Sequence, residues 1–95
     1  MNVINLASLT HQKPITLAVS TTSASVEIDP NAKYILTSNV DVFIKFDDVN
    51  TAGHEATGAD YFIPARVPTL IPKVGKKYFI ALGSAVGIAQ LVHNG

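Results

Sequence analysis

Cysteine is missing from this sequence of 95 residues, and so is tryptophan. Without a thiol there is no disulfide to brace the chain, no thiolate to hold zinc and no cysteine nucleophile. Charge is scarce as well: Asp, Glu, Lys and Arg make up 15% of the residues, against roughly 25% in an average soluble domain. The charges cancel to a formal net charge of zero, so the strong basic excess of a nucleic-acid binder is lacking. No apolar run approaches the roughly 18 residues of a membrane-spanning helix. The stretch MNVINLASLTHQK has neither the basic start nor the continuous apolar centre of a secretory signal peptide. Gly53, Gly58, Gly75, Gly83, Gly87 and Gly95 never fall into the G-x-G-x-x-G spacing that cradles phosphate.

What is present is apolar. Hydrophobic residues are 47% of the chain. A domain this short buries little more than about 60% of its unfolded surface, so its stability margin is thin. A small domain has the most surface to cover, yet this one has few charges for it. Either Ser, Thr and Asn cover the surface, or a partner does. The seven acidic residues (Glu27, Asp29, Asp41, Asp47, Asp48, Glu55, Asp60) all precede residue 61, and four of the seven basic ones (Arg66, Lys73, Lys76, Lys77) follow it. Chance in a small sample explains this. So does contact between copies, acidic edge to basic edge.

Alternation of apolar and polar residues predicts an all-β domain over residues 14–95, preceded by an arm, residues 1–13. PITLAVS (14–20) sets Ile15, Leu17 and Val19 against Thr16, Ala18 and Ser20. ASVEI (24–28) follows, then the turn DPNA (29–32), where Pro presets φ and Asn tolerates unusual φ. KYILTS (33–38) is next. NVDVFIKF (39–46) alternates most clearly, with Val40, Val42, Ile44 and Phe46 on one face and Asp41, Phe43 and Lys45 on the other. DYFIPA (60–65) and VPTLIPK (67–73) carry Pro64, Pro68 and Pro72. Proline has no N–H to give a central ladder, so these are edge or kinked strands. KYFIAL (77–82), the turn GSAVG (83–87) and VGIAQLV (86–92) complete seven or eight short strands. Gly83 and Gly87 argue against a helix there. The pattern fits an antiparallel β-sandwich or a small jelly-roll-like barrel. YFIPA (61–65) and YFIAL (78–82) echo one another too briefly to be a repeat. In the arm, Val3, Ile4, Leu6 and Leu9 call for cover, on their own domain or on another copy.

The polar stretch FDDVNTAGHEATGADYF (46–62) collects Asp47, Asp48, His54, Glu55 and Asp60. Its spacing is not that of a calcium loop: Asp47 and Asp48 are adjacent and no glycine marks the sharp turn. HEATG (54–58) puts Gly58 where the H-E-x-x-H zinc motif needs a second histidine. No metal or other cofactor is expected. At about a dozen residues the loop is long for a hairpin, and such loops often serve in contacts. A hydrolytic triad has no G-x-S-x-G around a serine, and His11, His54 and His93 are scattered. Any two of the acids could in principle pair as in glycoside hydrolysis, but a chain this short has no cleft-forming insertion. Lys73, Lys76 and Lys77 stand beside Tyr78 and Phe79. That grouping suits either a base-stacking patch or a lysine-rich turn that guards a strand edge. Exposed aromatics could bind sugar. Phe43, on the polar face of its strand, suits a subunit interface better.

The order SASVEIDPNAKYILTSNVDVFIKF, a Gly/Ala/Thr-rich loop, YFIPARVPTLIPKVGKKYFIAL and GSAVGIAQLV resembles small β-sandwich virion proteins of tailed bacteriophages. The likeness covers residues 23–93 and rests on an N-x-x-V-x-V-x-F strand, an I-P-A strand, an aromatic strand and a closing small-residue strand. Asp47 stands where the pattern would end its strand with glycine. The resemblance implies a structural, non-enzymatic role on the virion: a capsid decoration (cement) protein, or a small head–tail or tail component. It implies contact with other copies, since decoration proteins commonly form trimers, and with the major capsid or connector protein. The alternative is a carbohydrate- or receptor-binding sandwich. The expected contact residues are Val3, Ile4, Leu6 and Leu9 in the arm, Phe43, and Asp47, Asp48, His54 and Glu55 in the loop. Deleting residues 1–12 should weaken assembly and spare the fold.

Overall fold

The computed structural model describes residues 14–94. The arm, with Val3, Ile4, Leu6 and Leu9, lies outside the described residues. These form eight strands: β1 (Ile15–Val19), β2 (Ala24–Glu27), β3 (Tyr34–Ser38), β4 (Val42–Asp47), β5 (Tyr61–Ile63), β6 (Thr69–Ile71), β7 (Tyr78–Gly83) and β8 (Gly87–His93). All pairings are antiparallel, in two four-stranded sheets ordered β1-β8-β3-β6 and β2-β7-β4-β5. The expected fold class is therefore present, and the choice between sandwich and barrel is resolved toward two facing sheets.

The strand order has a simple construction. β4 pairs with β5, β3 with β6, β2 with β7 and β1 with β8. These are the nested rungs of one long hairpin whose tip is the loop after β4. Rolling that hairpin adds the pairings β3–β8 and β4–β7 and splits the ribbon into two layers. This is the jelly-roll order, in which packed sheets solve the edge problem of an antiparallel ribbon.

Alternation carries the core. β1 buries Leu17 and Val19, β3 buries Tyr34 and Leu36, and β4 buries Val42 and Ile44. With Ile28, Ile71, Phe79, Ala81, Ala89 and Leu91 they make one cluster between the sheets. Fully burying a side chain such as Leu36 stabilises the fold by about 1.5–3 kcal/mol. Tyr34 reaches across the layer: its buried hydroxyl accepts the Asp29 N–H at 2.9 Å, and its ring meets His93 edge-on at 4.9 Å. The same Asp29 folds the DPNA turn, its Oδ1 accepting the Asn31 N–H at 2.9 Å.

The proline-bearing segments became the two outer strands on one side, β5 and β6, three residues each. On the opposite side β1 packs beside β2. Gly87 is where bulk is excluded: an added Cβ there would come within 2.8 Å of the Val40 methyl groups.

Candidate functional site

The long loop after β4 folds back over the outer face of sheet β2-β7-β4-β5. Asn50 Nδ2 donates to Ser25 Oγ at 3.1 Å, and the Ala56 N–H donates to Ser23 Oγ at 3.0 Å. His54 Nδ1 bonds Asp47 Oδ2 at 2.8 Å. Ser25, Ile80 and Lys45 are register partners across that face, so the loop is anchored on both sides of Ile80. This explains a burial that alternation alone does not: Ile80 points away from the core and is nonetheless buried, as is Ala56 in the loop.

Each acidic group of the loop has a local structural task. Asp47 Oδ2 also lies 3.8 Å from Lys45 Nζ, and its Oδ1 accepts the Asp48 N–H at 2.7 Å. The His54 hydrogen bond holds the Asp47 carboxyl below its usual range, helped by the amides of Asp48 and Val49 against partial loss of water. A carboxylate kept ionised in this way is the reverse of a general acid. Asp48 pairs with Lys76 at 3.5 Å, joining the acidic first half of the chain to the basic second half. Glu55 Oε2 accepts the Gly53 N–H at 2.8 Å, closing a turn in which Gly53 has φ 92°. Asp60 Oδ2 caps Thr57 N–H at 2.7 Å. Among the described residues no three His, Asp or Glu side chains converge as a metal site would need. The structure thus brings Asp47 and His54 together, and sends Asp48 and Glu55 to other partners.

Phe43 faces outward on β4, half-buried, its ring 5.4 Å from that of Phe62 on β5. The twin YFI segments both pair with β4, one from each side, with opposite facing. Phe62 lies opposite Phe43 on the outer face, whereas Phe79 lies opposite Phe46 in the core. Phe79 is therefore closed to base stacking, and the three lysines beside it stand on an exposed turn.

Three further features were not read from the sequence. The first is the outer face of sheet β1-β8-β3-β6. Leu70, Ile35 and Val92 form one row across it by register, and Ile88 lies farther along β8. Leu70 is 62% exposed, Ile88 51% and Val92 37%. The signal was available in IAQLV, where apolar residues occupy both faces of a strand. The second is a groove of about 390 Å³ between β5 and β6, lined by Ile44, Phe46, Ile63, Ile71, Pro72 and Val74, with Tyr61 and Thr69 at its sides. There the two sheets stand apart and the core is reachable from outside. Tyr61 is 79% exposed. The third is a shallow hollow of about 330 Å³ on the outer face, lined by Thr37, Asn39, Arg66, Ile88 and Gln90. Arg66, the sole arginine of the sequence, holds φ 61° there and donates its N–H to Ser38 O at 2.7 Å.

Compared with family models, curated proteins and solved structures, the chain matches none.

Proposed function

We propose that this chain is a non-enzymatic structural protein of a phage virion: a capsid decoration protein that associates with its own copies and with the major capsid or connector protein. The observation that carries the reading is the uncovered apolar row Leu70–Ile35–Val92, with Ile88 nearby, on a chain poor in charge. Exposed apolar side chains gathered on one sheet face mark interaction surfaces. Phe43 and Phe62 offer a second, smaller apolar patch on the other sheet. The jelly-roll order is shared by many viral capsid domains, but also by lectins and cupins, so it supports the reading by analogy alone. The loop contributes shape rather than chemistry, since its carboxylates are committed to holding it down.

The test is cosedimentation with undecorated phage shells, alongside light scattering of the free protein. Saturable binding to shells supports decoration. Binding to isolated connectors in place of shells moves the site to the head–tail junction. Failure to bind either particle component, with no self-association at high concentration, overturns the proposal. One observation favours a second reading. Tyr61 and Phe62 are adjacent, exposed aromatics on an edge strand, and such rings serve carbohydrate-binding sandwiches. Binding on a glycan array that is lost in Tyr61→Ala would support it.

A further inference from the structure

We infer that the hollow around Arg66, on the outer face of sheet β1-β8-β3-β6, is a binding site for an acidic sugar whose carboxylate pairs with the Arg66 guanidinium. The first observation is the backbone. Among the described residues Arg66 is the one residue other than glycine at positive φ, in the left-handed region that glycine, asparagine and aspartate enter at least cost. Two hydrogen bonds lock the turn there: the Ala65 N–H donates to Asp41 Oδ1 at 2.7 Å, and the Arg66 N–H donates to Ser38 O at 2.7 Å. Pro64 and Pro68 stiffen the chain on either side. Neither bond needs an arginine side chain, and glycine would make both with less strain. Strain that the surroundings hold in place points to a use for the side chain that bears it. The second observation is charge. The ion pairs among the described residues are Lys45–Asp47, His54–Asp47 and Lys76–Asp48, so none of them occupies Arg66.

The surroundings select the ligand class. The hollow, about 330 Å³, falls within the roughly 300–1,000 Å³ of small-molecule sites. Thr37 and Gln90 are register partners, side by side on the outer face. Ile88 stands two residues along β8 from Gln90, on the same face. Asn39 Oδ1 accepts the Ile88 N–H at 2.8 Å, which leaves its Nδ2 to donate. One hydroxyl and two amides thus offer donors and acceptors around a single guanidinium, and Ile88 supplies an aliphatic wall. Sugar hydroxyls both donate and accept, and the C–H groups of a sugar ring suit an aliphatic wall. An acidic sugar adds the planar anion that a guanidinium grips with two parallel bonds. A lone Asp or Glu side chain would engage the arginine and leave the amides and the hydroxyl idle. The site is separate from the Tyr61–Phe62 pair, which belongs to the other sheet. The inference concerns the free protein and stands whether or not the chain decorates a particle.

The test is an NMR titration of the full chain with glucuronate and with N-acetylneuraminate, following the backbone amides of Thr37, Arg66, Ile88 and Gln90. Glucose is the uncharged control, and acetate and N-acetylglutamate amide are carboxylates without a sugar ring. Saturable shifts at those amides, with every control weaker by about tenfold or more, support the site. Arg66→Gly should weaken glucuronate binding by about tenfold or more. It should melt at the wild-type temperature or above it, because it relieves the strained φ. Arg66→Lys keeps the charge and loses the fork, so its affinity should fall between the two. No saturable shift with either acidic sugar overturns the inference, as does unchanged binding by Arg66→Gly. An equal response to the plain carboxylates also overturns it, because the hollow would then read any carboxylate, an acidic side chain included. A lower melting temperature for Arg66→Gly would mean that the fold itself needs the arginine, and would overturn it as well.

Discussion

Tyr34 shows how one side chain ties sequence to packing. Its ring fills the core while its hydroxyl accepts the Asp29 N–H next to the DPNA turn. Tyr34→Phe keeps the ring and strands that N–H, so a loss of about 1–2 kcal/mol in urea unfolding is expected. Asp47 yields a prediction with a definite sign. Its folded-state pKa is depressed, first by the His54 hydrogen bond. Its contribution to stability is therefore complete above the unfolded value, near pH 4, and is lost as pH falls through the lower folded value. His54→Ala removes the main cause. The stability difference between wild type and His54→Ala should shrink as pH is lowered from about 5 toward 2. Urea titrations across that range check it, and a difference that persists at the acid end would contradict the assignment.

At the scale of elements, the outer strands were readable because proline chemistry leaves no choice. Pro64, Pro68 and Pro72 could not sit in central strands, and the segments that carry them became β5 and β6. The inward faces of β1, β3 and β4 were readable from period-2 alternation. Sheet order was not, because β8 is apolar on both faces and alternation cannot say which strands flank it. Nor could the facing of the YFI twins be read, since identical triplets carry no register. Of the expected contact residues, Phe43 was identifiable as an apolar intruder on a polar face. The loop's course was hidden, because it depends on hydroxyls from Ser23 and Ser25, distant in sequence. Those bonds are testable. Ser23→Ala with Ser25→Ala should cost less than about 1 kcal/mol per bond, as exposed or half-exposed hydrogen bonds do. Protease cleavage within residues 48–60 should rise several-fold while the sheets stay protected. Unchanged cleavage would mean that the loop is held by other contacts.

For the whole molecule, the decisive asymmetry lies between the sheets. One has its outer face partly roofed by the chain's own loop; the other leaves Leu70, Val92 and Ile88 uncovered. If that bare face is the assembly surface, the triple variant Leu70→Lys/Ile88→Lys/Val92→Lys should fold normally. Exposed substitutions usually stay within about 0.5 kcal/mol each. It should also lose self-association and shell binding together. Retained assembly by the variant would redirect attention to Phe43 and Phe62 on the other sheet.

The nested pairing of strands has a consequence for how the chain is made. β8 is a late segment to be synthesised, yet it lies between β1 and β3 and joins them into one sheet. Until residues 87–93 emerge, β1 has no ladder partner in its own sheet and β3 has only the short β6. Native structure cannot accumulate strand by strand from the start of the chain, and loop-closure entropy makes such distant pairings slow. The most local ladder is the tip, β4 with β5, and the most distant is β1 with β8, so loop-closure entropy favours closure from the tip outward. A chain stalled before residue 87 would therefore hold the strands of sheet β2-β7-β4-β5 complete, while β1 and β3 lack the strand that joins them and leave their apolar faces open to chaperones and proteases.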